Sequence, residues 1–96
     1  FNTNTTIGAI ITNGKFDKTK LNKIASMTHN GYARSINPVH TMADGDSIYA
    51  LSVGEVEADL NTVGTLSARV MSMAIENAIK SAESMYGLTA YKDLKF

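Results

Sequence analysis

The chain has 96 residues, enough for one compact domain and not for two. Nine basic side chains balance nine acidic ones, and this zero net charge argues against nucleic acid or an anionic membrane as partner. Charged residues make up 19%, below the ~25% of an average domain, so part of the surface is expected to meet protein instead of water. No apolar run approaches the roughly 20 residues of a membrane span, and no charged-then-apolar signal segment opens the chain. A cytoplasmic setting is therefore expected. With no cysteine, disulfides, thiolate metal sites and Cys nucleophiles are excluded.

In chain order, Thr5-Thr6-Ile7-Gly8-Ala9-Ile10-Ile11-Thr12 is a run of small, apolar and β-branched residues. It reads as a strand covered on both faces, and Asn13-Gly14 then reads as a turn. Asp17 suits the N-cap of a helix reaching about residue 36. On that helix Leu21, Ile24, Ala25, Thr28, Tyr32 and Ile36 share one arc of about 120°, and the remainder is polar. Asn37-Pro38 stops it. A loop from Val39 to Asp46 leads into Ser47-Ile48-Tyr49-Ala50-Leu51-Ser52-Val53, a second strand by composition, and an acidic turn follows from Gly54 to Asp59.

From about Leu60 to Tyr86 the pattern is helical again, with Gly87 in the C′ position. Arg69, Glu76, Lys80 and Glu83 form a charged stripe only about 60° wide, and most of the rest of the circumference is apolar or small. A helix greasy over roughly 240° must be covered on more than one side. A chain with two strands and two helices has one sheet to offer it, so a partner chain or further polypeptide is expected to cover the remainder. The five methionines are explained by packing in a core or an interface.

Two clusters could carry chemistry. The first is Asn4-Thr5-Thr6 at the mouth of the leading strand. A threonine hydroxyl is a poor nucleophile without an adjacent base, but a threonine freed by cleavage of the chain brings its own α-amine as that base. The same hydroxyl could first attack the Asn4 carbonyl, shift the acyl group from N to O, and let water release Thr5. Read on spacing alone, the triplet is an ordinary strand opening, as Thr-Thr is in many proteins, because β-branching suits the pleat. The triplet also fits a glycosylation sequon, an idle match without a secretion signal.

The second cluster is Asp44-Gly45-Asp46. In extended backbone residues i and i+2 point the same way, so both carboxylates could face one site, share a proton and relay it. The other readings are a solvated Asp-Gly turn, or a calcium loop. The calcium loop fails, because Tyr49 stands where the loop needs glycine. His40 reads as a loop-ordering residue, and His29 and Arg34 as facing solvent. Two histidines without a third ligand make no zinc site.

Taken together, Asn4-Thr5-Thr6-Ile7-Gly8, the run from Gly31 to Thr41 (GYARSINPVHT) and Asp44-Gly45-Asp46 resemble the small β-subunit of the DmpA-type aminopeptidases, the N-terminal-nucleophile hydrolase family that includes the endo-type nylon-oligomer hydrolases. The resemblance spans essentially the whole chain from Thr5 onward. It implies an α/β fold, a β-α-β-α piece of a four-layer α/β/β/α sandwich completed by a larger α-subunit cut from the same precursor, within a higher oligomer. It implies self-cleavage between Asn4 and Thr5, so that residues 1–4 precede the cut and 5–96 form the mature subunit of a single domain. Thr5 would be the nucleophile, assisted by Asp44 and Asp46, on a small amide or peptide substrate, with no metal or organic cofactor. Lysine and oxyanion contacts would come from the large subunit. The competing expectation is a non-catalytic βαβα domain whose wide apolar helix binds a partner, with Thr5, Asp44 and Asp46 far apart.

Overall fold

The computed structural model describes residues 5–36 and 46–94. The elements run β1 (Ile7–Gly14), α1 (Lys18–Ser35), β2 (Ser47–Val56), α2 (Leu60–Ser81) and a short 3₁₀ turn (Tyr91–Asp93), the β-α-β-α order expected. β1 and β2 pair in parallel, with Ile7 opposite Ser47 and Thr12 opposite Ser52. Parallel neighbours cannot be joined by a hairpin, which is why α1 lies between them in the chain.

The turn expected at Asn13-Gly14 is instead strand. Beyond Thr12 the register shifts so that Gly14 pairs with Val56, and the Lys15 N–H donates to the Val56 carbonyl at 2.8 Å. β2 correspondingly runs through Gly54-Glu55-Val56, where an acidic turn was expected. Gly54 permits this, because a Cβ there would come 2.5 Å from the Asn13 carbonyl oxygen.

Both helices begin at an aspartate. Asp17 accepts the Lys20 N–H at 2.9 Å, and Asp59 accepts the Thr62 N–H at 2.9 Å and its hydroxyl at 3.0 Å. The Thr62 backbone bond, then the hydroxyl bond, hold the Asp59 carboxyl below its ordinary range. On α1 the expected arc is the packed one: Ile24, Thr28 and Tyr32 are buried, and Leu21 and Ile36 pack partly buried against them. The Thr28 hydroxyl donates to the Ile24 carbonyl at 2.7 Å, which satisfies it inside the core.

α1 and α2 pack tightly because small residues line the contact. Gly31 lies against the Ala68 carbonyl, Gly64 against the Met27 thioether, and the Ser35 and Ser72 hydroxyls meet at 2.6 Å. Both helices lie on one side of the sheet, over Ile10, with Ile48 and Ala50 beside it. The core is centred on Ile10, Ile24, Tyr32 and Met71. The opposite side is bare: Ile7 is 72% exposed, Ile11 67% and Val53 69%, and Tyr49 and Leu51 are also exposed. The strand expected to be covered on both faces is thus covered by this chain on one. The same holds for α2, whose Leu66, Val70, Met73 and Ile79 stay exposed.

α2 ends at Ser81, not at Tyr86. Ala82 is already extended, and Met85 and Leu88 exchange backbone hydrogen bonds of 3.1 and 2.9 Å around Tyr86-Gly87. Both central residues have positive φ, 55° and 79°, as in a two-residue hairpin turn. Gly87 therefore serves that turn, not a helix cap. Ser84 secures the segment: it accepts the Ala90 N–H at 2.7 Å and donates to Asp93 at 2.6 Å. Glu83, read from its spacing as part of the helical charged stripe, instead pairs with Lys92 at 3.5 Å. Periodicity could not separate an apolar helix end from an apolar hairpin, since Met85 and Tyr86 fit the helical spacing.

Candidate active site

Thr5 and Thr6 lead into β1, and Asp46 leads into β2 directly beside them, because the parallel register starts at Ile7 and Ser47. Two hydrogen bonds hold the pair. The Thr6 N–H donates to Asp46 Oδ1 at 2.9 Å, and the Ser47 N–H donates to the Thr6 carbonyl at 2.8 Å. The amide bonded to Oδ1 is the one joining Thr5 to Thr6, so the carboxylate is held at the linkage just after Thr5. Asp46 is half-buried, whereas Thr5 is exposed. Asn4, His40 and Asp44 lie outside the described residues, so the expected Asp44–Asp46 pairing lies outside them as well.

Sequence reasoning placed Tyr32 in the core but missed its polar end. Its ring is fully buried, and its hydroxyl donates to the Ser47 carbonyl at 2.9 Å. Burial, then the negative charge of Asp46, push this hydroxyl above its ordinary 10.0, so at neutral pH it stays protonated and donating. Gly8 makes room for it: a Cβ there would stand 2.6 Å from the Tyr32 oxygen and 2.8 Å from Met71 Cε. The available signal was the phenol itself, since a buried tyrosine on an apolar arc must find a partner for its O–H. His29, expected in solvent, is half-buried, with its ring edge-on to Tyr32 at 5.3 Å between centroids. Arg34 is exposed, as expected.

A groove of about 280 Å³ opens at the other end of β1, between Ile10, Thr12 and the Val63, Leu66 and Val70 side of α2. Among the described residues no group of three or more His, Asp or Glu side chains could hold a metal ion. No helix of the described residues is long and apolar enough to cross a membrane.

Residues 2–92 match peptidase family S58. An uncharacterized aminopeptidase of Mycobacterium tuberculosis is 33% identical over 98% of this chain and 32% of its own length. A 6-aminohexanoate-oligomer endohydrolase of a Kocuria species is 31% identical over 80% of this chain and 25% of its own length. The enzyme of the same name from an Agromyces species is 34% identical over 86% of this chain and 23% of its own length. The chain thus spans about a quarter to a third of the length of the curated relatives it matches. No solved structure matches it.

Proposed function

The chain belongs to peptidase family S58, and from that premise we propose that it is the nucleophile-bearing part of a self-processing amide hydrolase. The observation that carries this reading is the Asp46 carboxylate, 2.9 Å from the nitrogen of the Thr5–Thr6 linkage. A non-catalytic interaction domain has no need of a half-buried carboxylate at that amide.

In maturation, the Thr5 hydroxyl attacks the Asn4 carbonyl and the acyl group moves from nitrogen to oxygen. Water then hydrolyses the ester, which leaves Asn4 with a carboxylate and Thr5 with a free α-amine. In turnover that amine accepts the hydroxyl proton as Thr5 Oγ bonds to the substrate carbonyl. Asp46, with Asp44, orients the amine and stabilises its charge. The proton passes to the leaving nitrogen, the amine product departs, and water cleaves the acyl-enzyme ester to the acid. The relatives named as aminopeptidases and 6-aminohexanoate-oligomer endohydrolases point to short peptide-like or ω-amino-acid amides as substrates.

The rest of the longer protein completes the fold. A parallel sheet bare on one face is unusual, because parallel strands are normally covered on both. Ile7, Ile11, Tyr49, Leu51 and Val53 suit a second sheet packed face to face, which would make the four-layer sandwich. Strand alternation carried back from Ile7 sets Thr5 on that same side, so the polypeptide covering the sheet would also wall the substrate pocket.

The test is an intact-mass comparison of the full-length precursor with native Thr5, Thr5→Ser and Thr5→Ala. Native and Thr5→Ser chains are expected to part between Asn4 and Thr5, and Thr5→Ala to stay whole. Cleavage of Thr5→Ala at that bond would refute the nucleophile assignment.

A further inference from the structure

We propose that Tyr32 is a positioning residue for Asp46 and the Thr5–Thr6 linkage, and that Gly8 is glycine in order to admit it. The inference rests on the reading of Thr5 and Asp46 as reacting groups. Three hydrogen bonds run in series from α1 to the linkage. The Tyr32 hydroxyl donates to the Ser47 carbonyl at 2.9 Å, the Ser47 N–H to the Thr6 carbonyl at 2.8 Å, and the Thr6 N–H to Asp46 Oδ1 at 2.9 Å. Asp46 is bonded covalently to Ser47, so the last two links close a ring, and Tyr32 ties that ring to the buried core.

An ordinary core tyrosine also finds a carbonyl for its hydroxyl, but two features set this one apart. Its acceptor belongs to the residue directly after Asp46, at the first position of β2. Reaching it also requires a missing side chain in β1. Any Cβ at Gly8 would stand 2.6 Å from the phenol oxygen, inside contact distance. A β-strand interior ordinarily disfavours glycine, and here its absent side chain is the opening through which the hydroxyl reaches the sheet. The charge of Asp46 is felt at that hydroxyl, which sets the two groups in one electrostatic neighbourhood.

The experiment uses the full-length precursor as Tyr32→Phe, Gly8→Ala and the double variant. The self-cleavage rate is followed by intact mass, and kcat and KM are measured on linear 6-aminohexanoate trimer, corrected for active-site fraction. Tyr32→Phe is expected to lower self-cleavage and kcat about tenfold, the effect of one lost hydrogen bond in a reacting assembly, with KM within about twofold. Gly8→Ala should cost about as much in the native background and less in the Tyr32→Phe background, because the added methyl then meets no phenol oxygen and only the flexible end of Met71, whose Cε at 2.8 Å can move aside in both backgrounds. A merely structural tyrosine would instead lower the active fraction and leave kcat per site unchanged. Native kcat and cleavage in Tyr32→Phe, or the same Gly8→Ala cost in both backgrounds, would overturn the proposal. If Tyr32→Phe does not fold, Gly8→Ala alone decides: reduced kcat at unchanged KM supports the role, and native kcat refutes it. Thr5→Ala run alongside separates the two failures. Its cleavage at the Asn4–Thr5 bond would mean that the nucleophile itself is wrong, and the positioning role falls with it.

Discussion

Alanine is the better helix former, yet replacing Gly31 with alanine is expected to destabilise the protein. Gly31 sits inside α1 where the helix presses on α2. An added Cβ would overlap the Ala68 carbonyl oxygen and lie 3.0 Å from Met71 Cβ and 3.2 Å from the Ala68 carbonyl carbon. Two of these atoms are backbone and cannot swing aside, so the helices must part by about 1 Å to restore normal contact. Overpacking of this kind costs about 1–3 kcal/mol, against about 1 kcal/mol gained in helix propensity, so a net loss on the order of 1–2 kcal/mol is expected. Gly64, on the other helix, makes the control. A Cβ there would overlap the Met27 Sδ and lie 2.6 Å from its Cε and 3.4 Å from its Cβ, all in one side chain, and an unbranched thioether can move away. Gly64→Ala should therefore be neutral, or stabilise by up to about 1 kcal/mol. Urea unfolding of the two variants and the native full-length protein, at equal concentration, gives the order directly. Because Tyr32 follows Gly31, Gly31→Ala should also slow self-cleavage while Gly64→Ala does not. Equal stability of the two variants would refute the close-approach argument.

Asp46→Asn keeps an oxygen for the Thr6 N–H but removes the charge, so far-ultraviolet circular dichroism should be native while kcat on the 6-aminohexanoate trimer falls by roughly 10²–10⁴. Undiminished turnover would take Asp46 out of the mechanism. Ile11→Asp places a carboxylate on the bare sheet face, where Ile11 is 67% exposed, so it should block assembly with the remaining polypeptide, read as loss of soluble processed complex on size exclusion. Asp59 has its carboxyl lowered by the Thr62 bonds, so its contribution to stability is present above its ordinary 3.8 and disappears as pH falls through the lower folded value. The stability difference between native and Asp59→Asn protein should shrink in acid, measured by urea unfolding across that range. Tyr32 is shifted upward, so its contribution is intact below 10.0 and lost as pH rises through the folded value. Tyr32→Phe should therefore flatten the alkaline decline in melting temperature.

Local chemistry was legible where one residue decides it. Asp17 lies before an apolar-periodic run and caps its helix, and the arc through Ile24, Thr28 and Tyr32 is the packed face, whereas Asp59, read as the end of an acidic turn, proved to cap α2. The excess apolar surface of α2 was legible too, since a helical stripe can be counted without coordinates, and Leu66, Val70 and Met73 are still uncovered. Element ends were not legible. Asn13-Gly14 carries a turn composition but is paired through Val56, and Met85-Tyr86 carries helical spacing but forms a hairpin. In both places a distant strand or a nearby serine offered the backbone better partners than local preference did.

The amino-acid order by itself determined the β-α-β-α succession and the cap at Asp17, which depend on residue type and near-neighbour spacing, and it marked Thr5, Asp44 and Asp46 as candidates through the family resemblance. Only the tertiary structure decided that Asp46 meets the Thr5–Thr6 amide, that Tyr32 reaches the strand start through the space Gly8 leaves, and which sheet face stays bare. Those contacts join residues far apart in the chain, and their distances follow from how helices and strands pack, a property that no local pattern encodes.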